Sequence, residues 1–360
     1  MSEPDPTRVV VGLSGGVDSS AAASLLVEQG YDVVGITLKV WPQDCVSRAE
    51  DKCCGPQAVM DARSVADKLD IPYYLIDESK EFQRDVIDYF AAEYKAGRTP
   101  NPCVMCNEKL KFGNLINRAK KLGARYVATG HYARLEERNG RTVMLRGRDA
   151  RKDQTYFLFS LGQEQLSHMM FPLGELQKAE TREVARCVSL KTAEKQESQE
   201  ICFVPDKDYK KFLTTAGLVE EHQGEIVDTR GQVLGHHDGI EFYTIGQRKG
   251  LGISSPTPLY VVELDPENNR VVVGEEGMLL RSEFRIDRCN WIPFEKLEGP
   301  IEVSAAIRYN HPGAAATVEP AEDGRAIVKL LEPQRAVTPG QACVFYQDDL
   351  VVGGGWIMRH

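Results

Sequence analysis

The sequence predicts an α/β protein: a mainly parallel sheet over the first ~130 residues, then a small central domain and a C-terminal antiparallel β-barrel. Three observations carry this. Short apolar runs alternate with stretches of helical periodicity in the first part, the pattern of right-handed βαβ units. Residues 223–262 are rich in Gly and His with short strands, as in GEIVDTRGQVLG. From about residue 263, short alternating strands are separated by turns such as Asp265-Pro266, Glu319-Pro320 and Pro339-Gly340. At roughly 150 residues per domain, 360 residues suit two or three domains, each with its own core.

Taken in order, Arg8–Leu13, Asp32–Leu38, Tyr73–Asp77 and Tyr126–Thr129 read as buried strands. Helices are expected between them at Asp18–Gln29, Gln57–Leu69, Lys80–Lys95 and Leu110–Leu122. Gly30 and Gly123 sit where C-terminal caps belong. Asn139-Gly140, between Tyr132–Arg138 and Arg141–Leu145, is a hairpin signal. Residues 154–218 read as mostly helical. The expected divisions are 1–205 with a helical insertion near 160–190, then 206–262, then 263–360. The chain shows neither an internal repeat nor a low-complexity segment.

A net charge of −9 and no apolar run of the ~18 residues a membrane helix needs point to a soluble, cytoplasmic protein. The start, MSEPDPTR, lacks the pattern of a signal or transit peptide. Charge is segregated, however. Residues 108–152 hold 13 Lys+Arg and 4 Asp+Glu, a local net of +9 in an acidic chain. Such a tract is either a solvated helix and hairpin or a surface kept for a polyanion. Nine cysteines without a secretory signal argue for catalytic or metal-binding thiols over structural disulfides.

Gly12-Leu13-Ser14-Gly15-Gly16-Val17-Asp18-Ser19-Ser20 follows the first strand and opens the first helix. Glycines let the backbone turn its N–H groups to one point, the helix N-terminus adds positive potential, and the serines add hydroxyls. This is an anion site suited to a polyphosphate. It lacks the Gly-Lys-Ser/Thr ending of the Walker loop and the glycine spacing of the dinucleotide fingerprint. SGGVDSS resembles the pyrophosphate loop of enzymes that split ATP into AMP and pyrophosphate.

In Thr99-Pro100-Asn101-Pro102-Cys103-Val104-Met105-Cys106-Asn107, two prolines force an extended approach to the next helix. Cys106 is expected near that helix's start, where the dipole favours a thiolate. Cys103 and Cys106 alone would be a zinc half-site, but no nearby Cys-x-x-Cys completes it. Cys45, Cys53, Cys54, Cys187, Cys289 and Cys343 read as small buried hydrophobes. His236-His237 has no third ligand near it for a metal.

Five motifs in one order then resemble the bacterial tRNA-specific 2-thiouridylases: the pyrophosphate loop, NPCVMCN, Ala128-Thr129-Gly130-His131-Tyr132-Ala133, Lys152-Asp153-Gln154-Thr155-Tyr156 and SQEICFVPD. Gly-Gln-Arg-Lys-Gly-Leu-Gly at 246–252 and Pro339-Gly340-Gln341 extend the likeness over almost the whole chain. The resemblance implies an ATP-pyrophosphatase domain of the adenine nucleotide alpha hydrolase type, a small central domain and a C-terminal barrel that binds tRNA. It implies thiolation of the wobble uridine at C2, with ATP and Mg2+, the anticodon region of tRNA, and a sulfur carrier or cysteine desulfurase as partners. By the same resemblance ATP falls on Gly12, Leu13, Ser14, Gly15, Gly16, Val17, Asp18 and Ser19, flanked by Leu38 and Gly130. The nucleophile matches Cys106, the persulfide carrier Cys202, and the target-base loop Asn101-Pro102-Cys103. Contacts to tRNA match His131, Lys152, Asp153, Gln154, Arg308, Tyr309 and Gln341.

The implied chemistry adenylates the C2 oxygen, and sulfur follows by one of two routes. In one, the Cys202 persulfide attacks C2 and Cys106 attacks the bridging sulfur, leaving a Cys106–Cys202 disulfide. In the other, Cys106 releases hydrosulfide to the carbon. The sequence departs from the family's best-known form at Cys103, where that form has Asp. Three thiols, Cys103, Cys106 and Cys202, raise the alternative of an iron–sulfur cluster. The competing functions are another adenylating enzyme with a non-tRNA substrate and an RNA-binding metalloprotein without turnover.

Overall fold

The computed structural model describes residues 7–40, 55–188, 190–194, 201–204 and 208–359, without the side chains of 191 and 194. Cys45, Cys53, Cys54 and Ser198-Gln199-Glu200 lie outside these described residues. The chain divides into two compact units, one of residues 1–86, 103–203 and 349–351 and the other of residues 87–102, 204–348 and 352–360.

The first unit is built on a five-stranded parallel sheet. Strands β1 (Arg8–Gly12), β2 (Asp32–Lys39), β3 (Tyr73–Asp77) and β4 (Tyr126–Ala128) form within a residue or two of their apolar runs. The fifth is β7 (Met169–Met170), and the order is β3-β2-β1-β4-β7. Val9, Val10 and Val11 of the central strand are fully buried, which fits a parallel sheet covered on both faces. Helix α1 (Val17–Glu28) packs Ala23 and Leu26 into this core, and α2 (Pro56–Leu69) adds Ala62, Val65 and Ala66. Gly30 and Gly123 adopt φ of +82° and +71°, as left-handed C-terminal caps require. Asn139 and Gly140, both at positive φ, turn β5 (Ala133–Arg138) into β6 (Arg141–Arg146). Because β1 pairs with β2 on one side and β4 on the other, strand order reverses beyond the ends of β1 and β4. Ligands of doubly wound sheets bind at that crevice.

Two expected helices are not plain α-helices. Ser79–Phe82 runs into a π-helical stretch, Gln83–Asp88, before Tyr89–Lys95. The helix expected from Leu110 begins at Pro102, becomes π-helical over Cys106–Asn114, and returns to α over Leu115–Lys121. Among the described residues of 154–218, α-helices cover Gln163–Leu166, Lys178–Cys187 and Tyr209–Thr215, with 3-10 turns at Thr155–Phe157 and Lys191–Glu194 and less helix than expected between them. Cys187 ends its helix exposed, against expectation. Cys343 is buried and Cys289 half-buried.

The second unit holds two sheets. One has the order β10 (Tyr260–Asp265), β11 (Arg270–Gly274), β8 (Gly224–Asp228), β9 (Val233–His237), with β11 and β8 parallel. The other is an antiparallel barrel of β12 (Leu280–Trp291), β15 (Ala326–Arg335), β14 (Ala314–Pro320), β13 (Ile301–Ala306), β16 (Ala342–Gln347) and β17 (Leu350–Ile357), closed by pairing of β12 with β17. Phe284, Ile286, Val318, Val328 and Phe345 fill its core. Closure needs a glycine at 353: φ is +148°, and a Cβ there would lie 2.1 Å from the Asn290 carbonyl oxygen. His237 is a satisfied core histidine, its Nδ1 accepting from Gly239 N–H and its Nε2 3.2 Å from the Asn269 carbonyl oxygen.

Candidate active site

The glycine-rich loop leaves β1 at the crevice where strand order reverses. Leu13 N–H donates to Ile36 O and Thr37 Oγ1 donates to Leu13 O, which root the loop on β2. Ser14 and Ser19 bring their hydroxyl oxygens within 3.1 Å of each other, and Ser14 N–H donates to Ser19 Oγ. Gly15 has φ +70°, and a Cβ on it would meet the Ala58 carbonyl oxygen at 2.2 Å. Gly130, just past β4, packs so close that a Cβ would lie 2.6 Å from Ser19 N. Any side chain at either position would push the loop open. The N-cap of α1 is Gly16, with no side-chain cap, so the first-turn amides lack the side-chain acceptor a Ser or Asp cap would supply. Converging hydroxyls, an uncapped helix N-terminus and enforced backbone approach fit a polyphosphate. Leu38 lies half-buried near the carboxyl end of β2.

Asp18 stands in the first turn of α1 and is tied down from two other elements. Tyr132 Oη donates to its Oδ1 at 2.9 Å, and Lys178 Nζ lies 2.5 Å from the same oxygen. Tyr132 Oη is also 2.9 Å from Thr181 Oγ1. The phenol's single proton is shared between Asp18 Oδ1 and Thr181 Oγ1, while the Thr181 hydroxyl donates to Gln177 O. Sequence reasoning missed Lys178, Tyr132 and Thr181, because nothing local marks a residue 160 positions away as a partner of Asp18.

The helix that follows Asn101 begins at Pro102, so Cys103 occupies its first turn and Cys106 lies one turn further, where the π-helical stretch starts. Five residues along an α-helix would set Cys106 and Lys111 about 140° apart at ~100° per residue. The i→i+5 winding of a π-helix turns them towards one side. Asn107 Nδ2 donates to Phe157 O, and Gln165 Nε2 donates to Phe112 O, holding the widened turns. Cys103, Cys106 and Cys202 are half-buried. Burial pushes the Cys103 thiol up to about 11, the Cys106 thiol adds to the rise, and the Lys111 ammonium opposes it. At neutral pH Cys103 is therefore a protonated thiol. It cannot stand in for a carboxylate base. Phe203, next to Cys202, is buried with its ring edge-on to Phe82 at 5.7 Å.

Among the described residues no three His, Cys, Asp or Glu side chains gather as a metal-binding group. The alternative of an iron–sulfur cluster on Cys103, Cys106 and Cys202 finds no such group to support it.

Comparison with known proteins identifies the family. The model of the tRNA methyl transferase HUP domain matches residues 7–206, the tRNA methyl transferase PRC-barrel domain residues 210–275, and the aminomethyltransferase beta-barrel domain residues 281–357. The tRNA-specific 2-thiouridylase MnmA of Clostridium perfringens is 51% identical over 351 residues, 97% of this chain and 98% of its own. That of Moorella thermoacetica is 52% identical over 351 residues, again 97% and 98%. The chain belongs to the MnmA family of tRNA-specific 2-thiouridylases. A solved 4-thiouridine synthetase in complex with RNA and ATP overlaps 59% of this chain and 50% of its own, with 16% identity and a TM-score of 0.35.

Within this MnmA-family chain the expected tRNA-contacting residues differ in setting. His131 is buried, its Nδ1 2.8 Å from Thr129 Oγ1 and its ring between Phe112 and Phe171. Burial, helped by the Lys111 charge, holds its pKa well below 6.5, so it is neutral. Asp153 is also buried and accepts from Arg146 Nη1, Gly147 N–H and Thr155 Oγ1. Gln154 bonds both ways with the Tyr132 backbone, and Lys152 is half-buried beside them. The segment 152–154 is thus an organised loop and not a solvated one. Arg308 and Tyr309 are exposed at the end of β13. Gln341 Nε2 donates to the carbonyl oxygens of Thr99 and Pro100, each at 3.1 Å, and Thr99 N–H donates to Pro339 O. Gly340, at φ +87°, packs with its Cβ position 2.9 Å from Thr99 O. Pro339-Gly340-Gln341 clasps the backbone that leads into Asn101 and Pro102, both buried.

Proposed function

We propose that this chain is a tRNA 2-thiouridylase that adenylates the wobble uridine at C2 with ATP and replaces the oxygen by sulfur carried on cysteine. The single observation that supports this most is the pairing of an uncapped, glycine-enforced anion loop with a cysteine helix on one parallel-sheet unit. ATP supplies the adenylate that makes the uridine oxygen a leaving group. In this reading Gly12 to Ser19 hold the pyrophosphate, Leu38 and Gly130 flank the adenosine, and Asp18 offers an oxygen to Mg2+.

Cys202 carries the persulfide handed over by a sulfur carrier or desulfurase, and its terminal sulfur attacks C2 as AMP departs. The Cys106 thiolate then attacks the Cys202 sulfur, breaking the S–S bond. The transferred sulfur stays on the base, and a Cys106–Cys202 disulfide remains for an external thiol to reduce. Cys103, half-buried and protonated, lines the target-base loop with Asn101 and Pro102 and takes no electrons. His131 and the 152–154 loop shape the anticodon pocket, while Arg308, Tyr309 and the basic tract meet RNA. Gln341 serves by fixing the strand before Asn101.

Mass spectrometry of tRNA nucleosides from cells with and without this gene tests the reading, alongside tRNA-stimulated release of AMP and pyrophosphate by the purified protein. Loss of 2-thiouridine on deletion, restored by the wild type but not by Cys106→Ser or Cys202→Ser, is the expected outcome. Unchanged 2-thiouridine would overturn it.

A further inference from the structure

Residues 242–262 contain no Asp or Glu, in a chain that has 53 of them, and their only charges are Arg248 and Lys249. These two sit in Gly246-Gln247-Arg248-Lys249-Gly250-Leu251-Gly252, and no step of the thiolation uses that loop. It is nonetheless built to one shape. Gly246, Gly250 and Gly252 take φ of +87°, +74° and +69°, the left-handed region that favours glycine. Gly246 N–H donates to Val261 O at 2.8 Å, and Val261 N–H donates to Gln247 O at 2.9 Å. The Gln247 side chain ties both ends of the turn: its Oε1 accepts from Thr244 N–H, and its Nε2 donates to Lys249 O at 3.0 Å. Leu251 is buried and pins the far side.

A plain connection between two elements needs no such frame. What the frame holds out is Arg248 and Lys249, both exposed, with no hydrogen bond or ion pair on their side chains among the described residues. Adjacent like charges repel, so the fold gains nothing from leaving them unpaired. An anion arriving from outside does gain, because the loop that presents the charges is already ordered before it binds.

The position of the loop says which anion. A Cβ on Gly246 would lie 3.1 Å from Ala336 Cβ, and the carbonyl oxygen of the neighbouring Arg335 accepts from Arg308 Nη1 at 3.5 Å. Shortly after Ala336 comes Gln341, which holds Thr99 and Pro100. One barrel rim, within one compact unit, therefore joins the 246–252 loop, Arg308 and the backbone that leads into Asn101.

We propose that Arg248 and Lys249 form a phosphate clamp for the tRNA backbone beside the target nucleotide. The clamp reads charge and not sequence, and it sets the register of the RNA on the rim. The inference rests on the tRNA reading of the site and adds a surface outside residues 108–152.

The test compares full-length wild type with Arg248→Ala/Lys249→Ala. Binding is measured over a range of salt, with an unmodified tRNA transcript that carries a wobble uridine and a second transcript of different anticodon-arm sequence. The slope of log affinity against log salt is expected to become shallower by about 1 for each contact removed. Affinity should fall about tenfold or more for both transcripts alike. The melting temperature and the affinity for a non-hydrolysable ATP analogue stay at wild type, and Arg248→Lys keeps the slope. An unchanged slope overturns the proposal, and so does a loss confined to one transcript, which would mean base reading. If the loop instead meets an acidic protein that donates sulfur, tRNA affinity and slope stay at wild type while persulfide-dependent thiolation falls, and the clamp is refuted. Wild-type protein that binds neither transcript would sink the tRNA reading itself, a result visible before any variant is made.

Discussion

Cys103 and His131 show how burial sets protonation at single residues. The unfolded Cys103 thiol titrates near its ordinary value of about 8.5, and the folded one at about 11. A raised folded pKa means its contribution to stability is complete below the unfolded value and is lost as pH rises through the folded one. Tyr209 and Cys289, both pushed to about 12 by burial, act in the same direction. Urea midpoints should therefore fall above pH ~9, and Cys103→Ala should shallow that fall. A flat midpoint between pH 8 and 10.5 would contradict the desolvation. His131 acts oppositely: its depressed pKa leaves stability intact above 6.5 and removes it as pH drops from there. At the loop, Ser14→Ala or Asp18→Asn should lower tRNA-dependent pyrophosphate release by about tenfold while filter-binding affinity for tRNA stays within about twofold. Equal loss of both would show that the loop also grips RNA.

Elements bear on the site through two features that spacing does not reveal. The π-helical stretch Cys106–Asn114 contains residues that also suit an α-helix, and periodicity over a short window does not register one extra residue per turn. Its consequence is the side on which Lys111 lies. The second feature is the clasp at Pro339-Gly340-Gln341. Gly340→Ala must place a Cβ at φ +87° against Thr99, a strain of about 1–3 kcal/mol, so thermal stability and thiolation should fall together. Gln341→Ala removes two hydrogen bonds to Thr99 and Pro100 and leaves the barrel core untouched. It should lower the thiolation rate with a melting temperature within a few degrees of wild type, about 1–2 kcal/mol at most. An unchanged rate would show that the clasp does not position the loop.

At the scale of the molecule, affinity for tRNA should depend steeply on salt although the chain carries a net charge of −9, because residues 108–152 carry +9. Log affinity against log salt should fall by about 0.7–0.9 per phosphate contact. A flat response would exclude the basic tract as the RNA face. The sequence by itself determined the parallel sheet, the hairpin at Asn139-Gly140 and the glycine-rich loop that opens the first helix. These are local: alternating periods, glycine at positive φ and a loop opening a helix are written in consecutive residues. Only the tertiary structure decided that Asp18 meets Lys178 and Tyr132, that Gln341 holds Thr99 and Pro100, and that burial raises the Cys103 thiol. Charge partners, buried hydrogen bonds and desolvation depend on which surfaces meet when the chain packs, and a linear order of residues carries no record of that.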